Sequence, residues 1–174
     1  DDASTAPAVR ECLEREASAD DRIRLHRRAA NGGIAEATND ALALARGLAA
    51  ARPYFIEAPC APEDLTGLSR VARESLLPVA AGEEWRNVFE AQLRLDCAPL
   101  AYVQPEMAHT GVSQFVAIST LATARGAGVI PHATIGVGIF MAASLHAAAP
   151  LARCPYHEYQ HSVFDRNLEY VDTT

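Results

Sequence analysis

Residues 54–60 read Tyr-Phe-Ile-Glu-Ala-Pro-Cys, an apolar triplet that ends on a carboxylate and a proline. Tyr54, Phe55 and Ile56 are aromatic or β-branched, which predicts a short buried strand. A carboxylate fits there only at the strand's end. In that place Glu57 either satisfies the free N–H groups of a following helix or faces a site. Whether the arrangement recurs along the chain decides between the two.

It recurs. Asn31, Glu57, Glu83, Glu106, His132 and Glu158 each follow an apolar strand candidate, at intervals of 26, 26, 23, 26 and 26 residues. The strand candidates are 23–25, 54–56, 76–80, 100–103, 129–130 and 154–157. Helical patterns lie between them: 35–51, with Leu44 and Leu48 on one face; 62–74; a helix whose Trp85, Val88, Phe89 and Leu93 share a stripe; 111–125, with Phe115, Ile118 and Ala122 aligned; and 139–149. Ahead of these, 7–17 predicts a helix with Val9 and Leu13 inward and a Glu11/Arg15 pair outward.

Strands alternating with helices imply a parallel sheet covered by helices. The regular spacing selects a β/α (TIM-type) barrel, because every strand of a barrel ends at one common mouth and its strand-end residues converge. A doubly wound sheet announces itself with a Gly-rich turn after its first strand. Gly136-Val137-Gly138 is a lone GxG, better read as backbone packed closely on backbone. The expected fold is therefore an incomplete parallel β/α barrel, about six of its eight strands, forming a single domain over residues 1–174.

Composition narrows the function. The chain carries 15 basic residues against 22 acidic ones, a net charge of −7, and no basic run, which argues against nucleic acid and for a small-molecule substrate. All the basic residues are arginine, so Schiff-base chemistry and a lysine base cannot come from these residues. Cys12, Cys60, Cys97 and Cys154 are widely separated and form no C-x-x-C pair, so they read as buried thiols of a reducing, cytoplasmic compartment. The apolar window 128–151 is broken by Pro131, His132 and His146, which makes strand, loop and helix a better reading than a membrane span. The chain opens on Asp1-Asp2-Ala3, without Met or a signal pattern, so a longer parent chain is expected.

Two carboxylates at one mouth repel unless a cation lies between them, and all-oxygen ligation favours a hard ion. Gly82 lets the backbone present Glu83 sharply. His132, one unit beyond Glu106, fits a general base oriented by a carboxylate, and His157-Glu158 is similar in character. His26, His109, His146 and His161 have no such placement. Arg27-Arg28 reads as a solvated pair.

The succession FIEAP, AGEEW, VQPEMAHTG, VIPHATIG and HEYQ resembles the catalytic barrel of the enolase superfamily, in its mandelate racemase and sugar-acid dehydratase branch. The resemblance runs from about Val9 to Glu158. It implies a Mg²⁺-dependent lyase that abstracts the proton α to a carboxylate and dehydrates a sugar acid, an aldonate or aldarate. Glu57 and Glu83 match metal ligands. His132 matches the base of a His-Asp dyad, with Glu106 at the Asp position, and Glu158 matches the acid on the last strand. Asn31 and His157 would contact substrate.

The chain departs from the pattern in four places. Ala58 stands for the second Glu of E-E-P, Glu106 for Asp, and Ala29 for the Asp of D-x-N; no K-x-K motif is present. The capping domain and the first strands are expected to lie outside this sequence; a homo-oligomer is expected, and the open sheet edges call for a partner or the missing strands to cover them. The alternatives are a racemase or cycloisomerase on the same scaffold, or a degenerate barrel that only binds.

Overall fold

The computed structural model describes residues 7–20, 23, 25, 33–132 and 138–159. Its elements follow in chain order: α1 (Pro7–Ala19), α2 (Gly33–Leu48), β1 (Ile56–Glu57), α3 (Leu65–Glu74), β2 (Val79–Ala81), α4 (Val88–Cys97), β3 (Tyr102–Val103), α5 (Met107–Ala124), β4 (Gly128–Val129) and α6 (Gly138–Ala148). The strands pair in parallel in the order β1-β2-β3-β4. Ile56 faces Val79, Ala80 faces Tyr102, and Tyr102 faces Gly128. Successive parallel strands that neighbour each other without reversal, each followed by a helix, are the order of a β/α barrel rather than of a doubly wound sheet.

Four of the six expected strands are present among the described residues. Ile23 and Leu25 do not form the first one: both are exposed, and the Ile23 N–H closes a turn on the Asp20 carbonyl. Arg24 lies outside the described residues. The last candidate, 154–157, forms no strand ladder. Val129 N–H donates to the Arg153 carbonyl at 2.8 Å and Glu158 N–H donates to the Pro131 carbonyl at 3.2 Å, so the segment runs beside β4 and is tied at both ends. Pro155 between them has no N–H to continue the pairing.

The core lies between the sheet and its helices. Leu42, Leu68, Val71, Val79, Ala81, Trp85, Leu95, Val103, Ile118 and Val129 form one buried cluster. Phe115, Ile118 and Ala122 line the inner face of α5, as the spacing predicts. Two other helices present a different face from the one expected. On α2, Thr38, Leu42 and Ala45 are buried while Leu44 is 61% exposed. On α4, Ala91 and Leu95 are buried while Phe89 is 74% and Leu93 66% exposed. Trp85 is wholly buried but precedes α4, which begins after the Asn87 cap, so it shares no stripe with that helix. α1 buries nothing: Val9 is exposed, and Arg15 turns to Glu16 at 2.9 Å rather than to Glu11.

Local chemistry sets the helix starts. Asp64 accepts the Gly67 N–H at 2.7 Å to cap α3, and its other oxygen accepts the Thr38 hydroxyl of α2 at 3.0 Å. Asn87 caps α4 through the Glu90 N–H at 3.0 Å. α5 starts earlier than residue 111 because Met107–Thr110 adds a turn, and Gly111, at φ 63 and ψ 170, breaks the helix where the main segment begins.

Candidate functional site

The C-terminal ends of the strands bring five of the expected residues together. Glu57 is the last residue of β1. Gly82, at φ 127, follows β2 and turns the chain so that Glu83 projects; a Cβ at Gly82 would sit 3.2 Å from both the Gln104 nitrogen and Val103 Cγ1. Glu106 follows β3 as the residue before α5 and is buried. His132 follows β4, its N–H donating to the Pro105 carbonyl at 3.2 Å. Glu158 comes in from the segment beside β4, its N–H on the Pro131 carbonyl at 3.2 Å.

His132 is the centre of this cluster. Its Nδ1 lies 2.9 Å from Glu106 Oε2, and its Nε2 lies 3.1 Å from Glu83 Oε2 and 3.8 Å from Glu158 Oε2. A ring with both nitrogens against carboxylate oxygens must donate from both, or else share a proton with one of those acids. Because Glu106 holds Nδ1–H, Nε2 is the atom free to exchange its proton with a third group. The arrangement can therefore take up or release a proton at Nε2, beside two further carboxylates.

Two residues that the strand-end spacing does not single out also belong here. His109 Nδ1 lies 2.9 Å from the Glu83 carbonyl, and its Nε2 is 3.9 Å from Glu106 Oε1. Its signal is the three-residue spacing from Glu106 at the start of a helix. Gln104 is wholly buried; its Nε2 donates to Glu57 Oε1 and, at 3.0 Å, to Glu158 Oε1. It stands two residues before Glu106 at the end of β3, and a polar amide between a valine and a proline is the trace it leaves in the sequence.

His157 is turned away from the acids. Its Nε2 meets the Ser144 hydroxyl of α6 at 2.8 Å and its Nδ1 is 2.7 Å from the Glu158 carbonyl. Asn31 and Ala29 lie outside the described residues, as do Arg27, Arg28, His26 and His161. Burial pushes the Cys60 and Cys154 thiols above their ordinary range. None of the four expected buried thiols is fully buried: Cys12 is exposed, and Cys60, Cys97 and Cys154 are partly buried.

The resemblance implies that Glu57 and Glu83 hold Mg²⁺. In the structure Glu57 is taken by the Gln104 amide and Glu83 by His132, and among the described residues no three His, Cys, Asp or Glu side chains form a metal-holding group. A hard cation needs several oxygens converging on one point. The described residues do not gather such a set, and what they supply themselves is proton transfer at His132.

The chain matches the family model described as enolase C-terminal domain-like over residues 2–174. It belongs to that family. The enolase relatives put it in the mandelate racemase and sugar-acid dehydratase branch. It is 36% identical over 104 residues to a D-galactonate dehydratase of Ralstonia nicotianae, covering 59% of this chain and 27% of that protein. A D-galactonate dehydratase of Cronobacter sakazakii is likewise 36% identical, over 55% of this chain and 25% of the relative. The chain thus spans about a quarter of the curated relatives it matches.

Among solved structures, an enolase superfamily member from Agrobacterium tumefaciens superposes over 98% of this chain and 43% of its own, at 36% identity and a TM-score of 0.75. A protein named as an isomerase, from Sinorhizobium meliloti, covers 75% of this chain and 34% of its own, at 47% identity and a TM-score of 0.71. These likenesses identify the fold as the TIM-type barrel of the family, of which the described residues supply four strands. No described helix is long and apolar enough to cross a membrane.

Proposed function

We propose that this chain is the proton-transfer part of a lyase that acts on a small carboxylate, removing the proton α to the carboxylate of a sugar acid and expelling the β-hydroxyl as water. The observation that carries this reading is His132, held at Nδ1 by buried Glu106 at 2.9 Å and open at Nε2 to Glu83 and Glu158. A strand-end imidazole fixed by one carboxylate, with two more beside its reactive nitrogen, is an acid–base group and not a surface histidine. The names of the D-galactonate dehydratase relatives support the same class of reaction.

The step balances on His132 with Glu83 as the first proton acceptor. With its Nε2 proton passed to Glu83, the imidazole takes the α-proton, and the C–H electron pair becomes the new C=C bond. The C–O pair leaves with the β-oxygen, which receives that same proton from Nε2 and departs as water. The ring returns to neutral and the enol product ketonises. Glu106 accepts from Nδ1–H throughout and keeps Nε2 aimed at the substrate, while Glu158 lies on the same side to take or return a proton.

A racemase or other isomerase shares the first step and differs only after the α-proton has left. The 47% identity to the protein named as an isomerase favours keeping this second reading. The test is solvent deuterium exchange. In D₂O the protein should place deuterium on the α-carbon of returned substrate or isomer, or on the carbon beside the new keto group of the dehydration product, and His132→Asn should abolish both. A 2-keto-3-deoxy acid as product selects the lyase, and an inverted or rearranged acid selects the isomerase. Absence of both exchange and product across a broad panel of aldonates and aldarates, with the intact protein and with Mg²⁺ supplied, overturns both.

A further inference from the structure

We propose that Gln104 is a positioning residue, one that fixes the Glu158 carboxylate opposite His132 and ties it to Glu57 across the sheet. The inference rests on the acid–base reading of His132. Gln104 stands at the end of β3, its backbone N–H on the Ala81 carbonyl at 3.0 Å and its side chain wholly buried. The amide nitrogen has two protons, and each finds a different carboxylate: Glu57 Oε1 at the end of β1 and Glu158 Oε1 on the segment beyond β4. One side chain thus reaches acids on both sides of its own strand. The second oxygen of Glu158 is the one that lies 3.8 Å from His132 Nε2. Holding Oε1 therefore sets where Oε2 points.

The other end of the amide shows that this orientation has a cost. Gln104 Oε1 is buried and has no hydrogen-bond partner among the described residues. A buried acceptor left without a donor is unfavourable, and a methionine of nearly the same shape would avoid it. Turning the amide over would not help, because it would put the carbonyl oxygen against two carboxylates. The two acids dictate which way the amide faces. Purely structural packing at this position does not need a donor, whereas fixing two acids does.

The test compares Gln104→Met, which keeps length and removes the donor, with Gln104→Asn, which keeps the amide but shortens its reach by one methylene. If Gln104 positions Glu158, both lower kcat for α-proton exchange by about 10–100-fold, the usual scale for losing the partner that orients a reactive group. KM should stay within about twofold and the pH profile should change shape. Exchange in the wild type with unaltered kcat and pH profile in the variants that fold overturns the inference and leaves the proposed function standing.

If the wild type shows neither exchange nor product, the function fails and a second measurement still decides the inference. The ring of His132 is faced by Glu83, Glu106 and Glu158, and its titration can be followed by NMR in the wild type and both variants. A displaced midpoint in either variant supports the positioning role. Identical midpoints overturn it. Gln104→Asn serves as the decisive variant if Gln104→Met does not fold.

Discussion

At the residue scale, the stretch 54–60 contains two side chains with consequences of their own. Ala58 follows Glu57 at φ 39, in the left-handed region that costs an L-residue with a Cβ about 1–2 kcal/mol. Its backbone is held there because its N–H donates to the Ala80 carbonyl at 2.9 Å, one residue past the register of β1 with β2. Replacing Ala58 by glycine removes the steric penalty but enlarges the freedom of the unfolded chain. Ala58→Gly should therefore raise stability by no more than about 1 kcal/mol, read as a higher urea midpoint at unchanged slope. A lower midpoint would mean that φ is relaxed at this position.

Cys60, two residues on, is half-buried, and burial pushes its thiol up from the ordinary value; Cys154 behaves the same way. A folded-state value above the unfolded one means that the native protein holds its protons longer. The associated stability is complete below about pH 9 and is lost as pH rises through the folded values. Under reducing conditions the urea midpoint should hold up to about pH 9 and fall as pH rises above it, and fall less in a Cys60→Ala, Cys154→Ala double variant. Equal slopes in the two proteins would remove the thiols from the account.

At the element scale, the β/α alternation is legible because each strand is an apolar run stopped by a polar residue, glycine or proline, and each unit repeats at nearly constant length. The helix faces are less so. Hydrophobicity alone places Leu44, Phe89 and Leu93 inward, yet the buried positions are Thr38, Leu42 and Ala45 on α2 and Ala91 and Leu95 on α4, where small side chains beside one leucine let each helix approach its neighbours closely. A leucine outranks an alanine for the interior by hydrophobicity, but close packing depends on volume. In the site, Glu57, Glu83, Glu106, His132 and Glu158 are visible through their spacing, whereas Gln104 falls two residues off that rhythm and His109 belongs to a helix rather than to a strand end. The α3 cap shows how elements are coupled through one side chain: Asp64 caps its own helix and also receives Thr38 from α2. Asp64→Ala removes both interactions at a buried position, and should cost about 1–3 kcal/mol, more than an exposed cap. Asp64→Asn keeps the acceptor for Gly67 and should cost less. Chemical denaturation of the two variants checks this, and equal losses would show that the charge rather than the cap is what α3 needs.

At the scale of the whole molecule, the family fold and its site are related by one geometric fact: parallel strands that neighbour each other in sequence order end on the same side. This brings residues about 26 apart in the chain to within hydrogen-bond distance, as His132 and Glu106 are. The same geometry concentrates negative charge, since Glu57, Glu83, Glu106 and Glu158 share one end of a chain whose net charge is already −7. Such a cluster folds only if something lies between the acids. In the structure the intervening groups are His132, bonded to Glu83 and Glu106, and the Gln104 amide, bonded to Glu57 and Glu158. A ligand that binds only the native state raises stability by an amount that grows with its concentration. If proton and amide suffice, millimolar Mg²⁺ should leave the melting temperature of this protein unchanged beyond the small effect of ionic strength, matched with a monovalent salt. His132→Asn takes away the group between Glu83 and Glu106 and should turn the same titration into a stabilising one, because the acids would then gain from a cation. A Mg²⁺-dependent rise in the wild type would instead show that the acids open to a metal, with Glu57 and Glu83 released from the partners they have here.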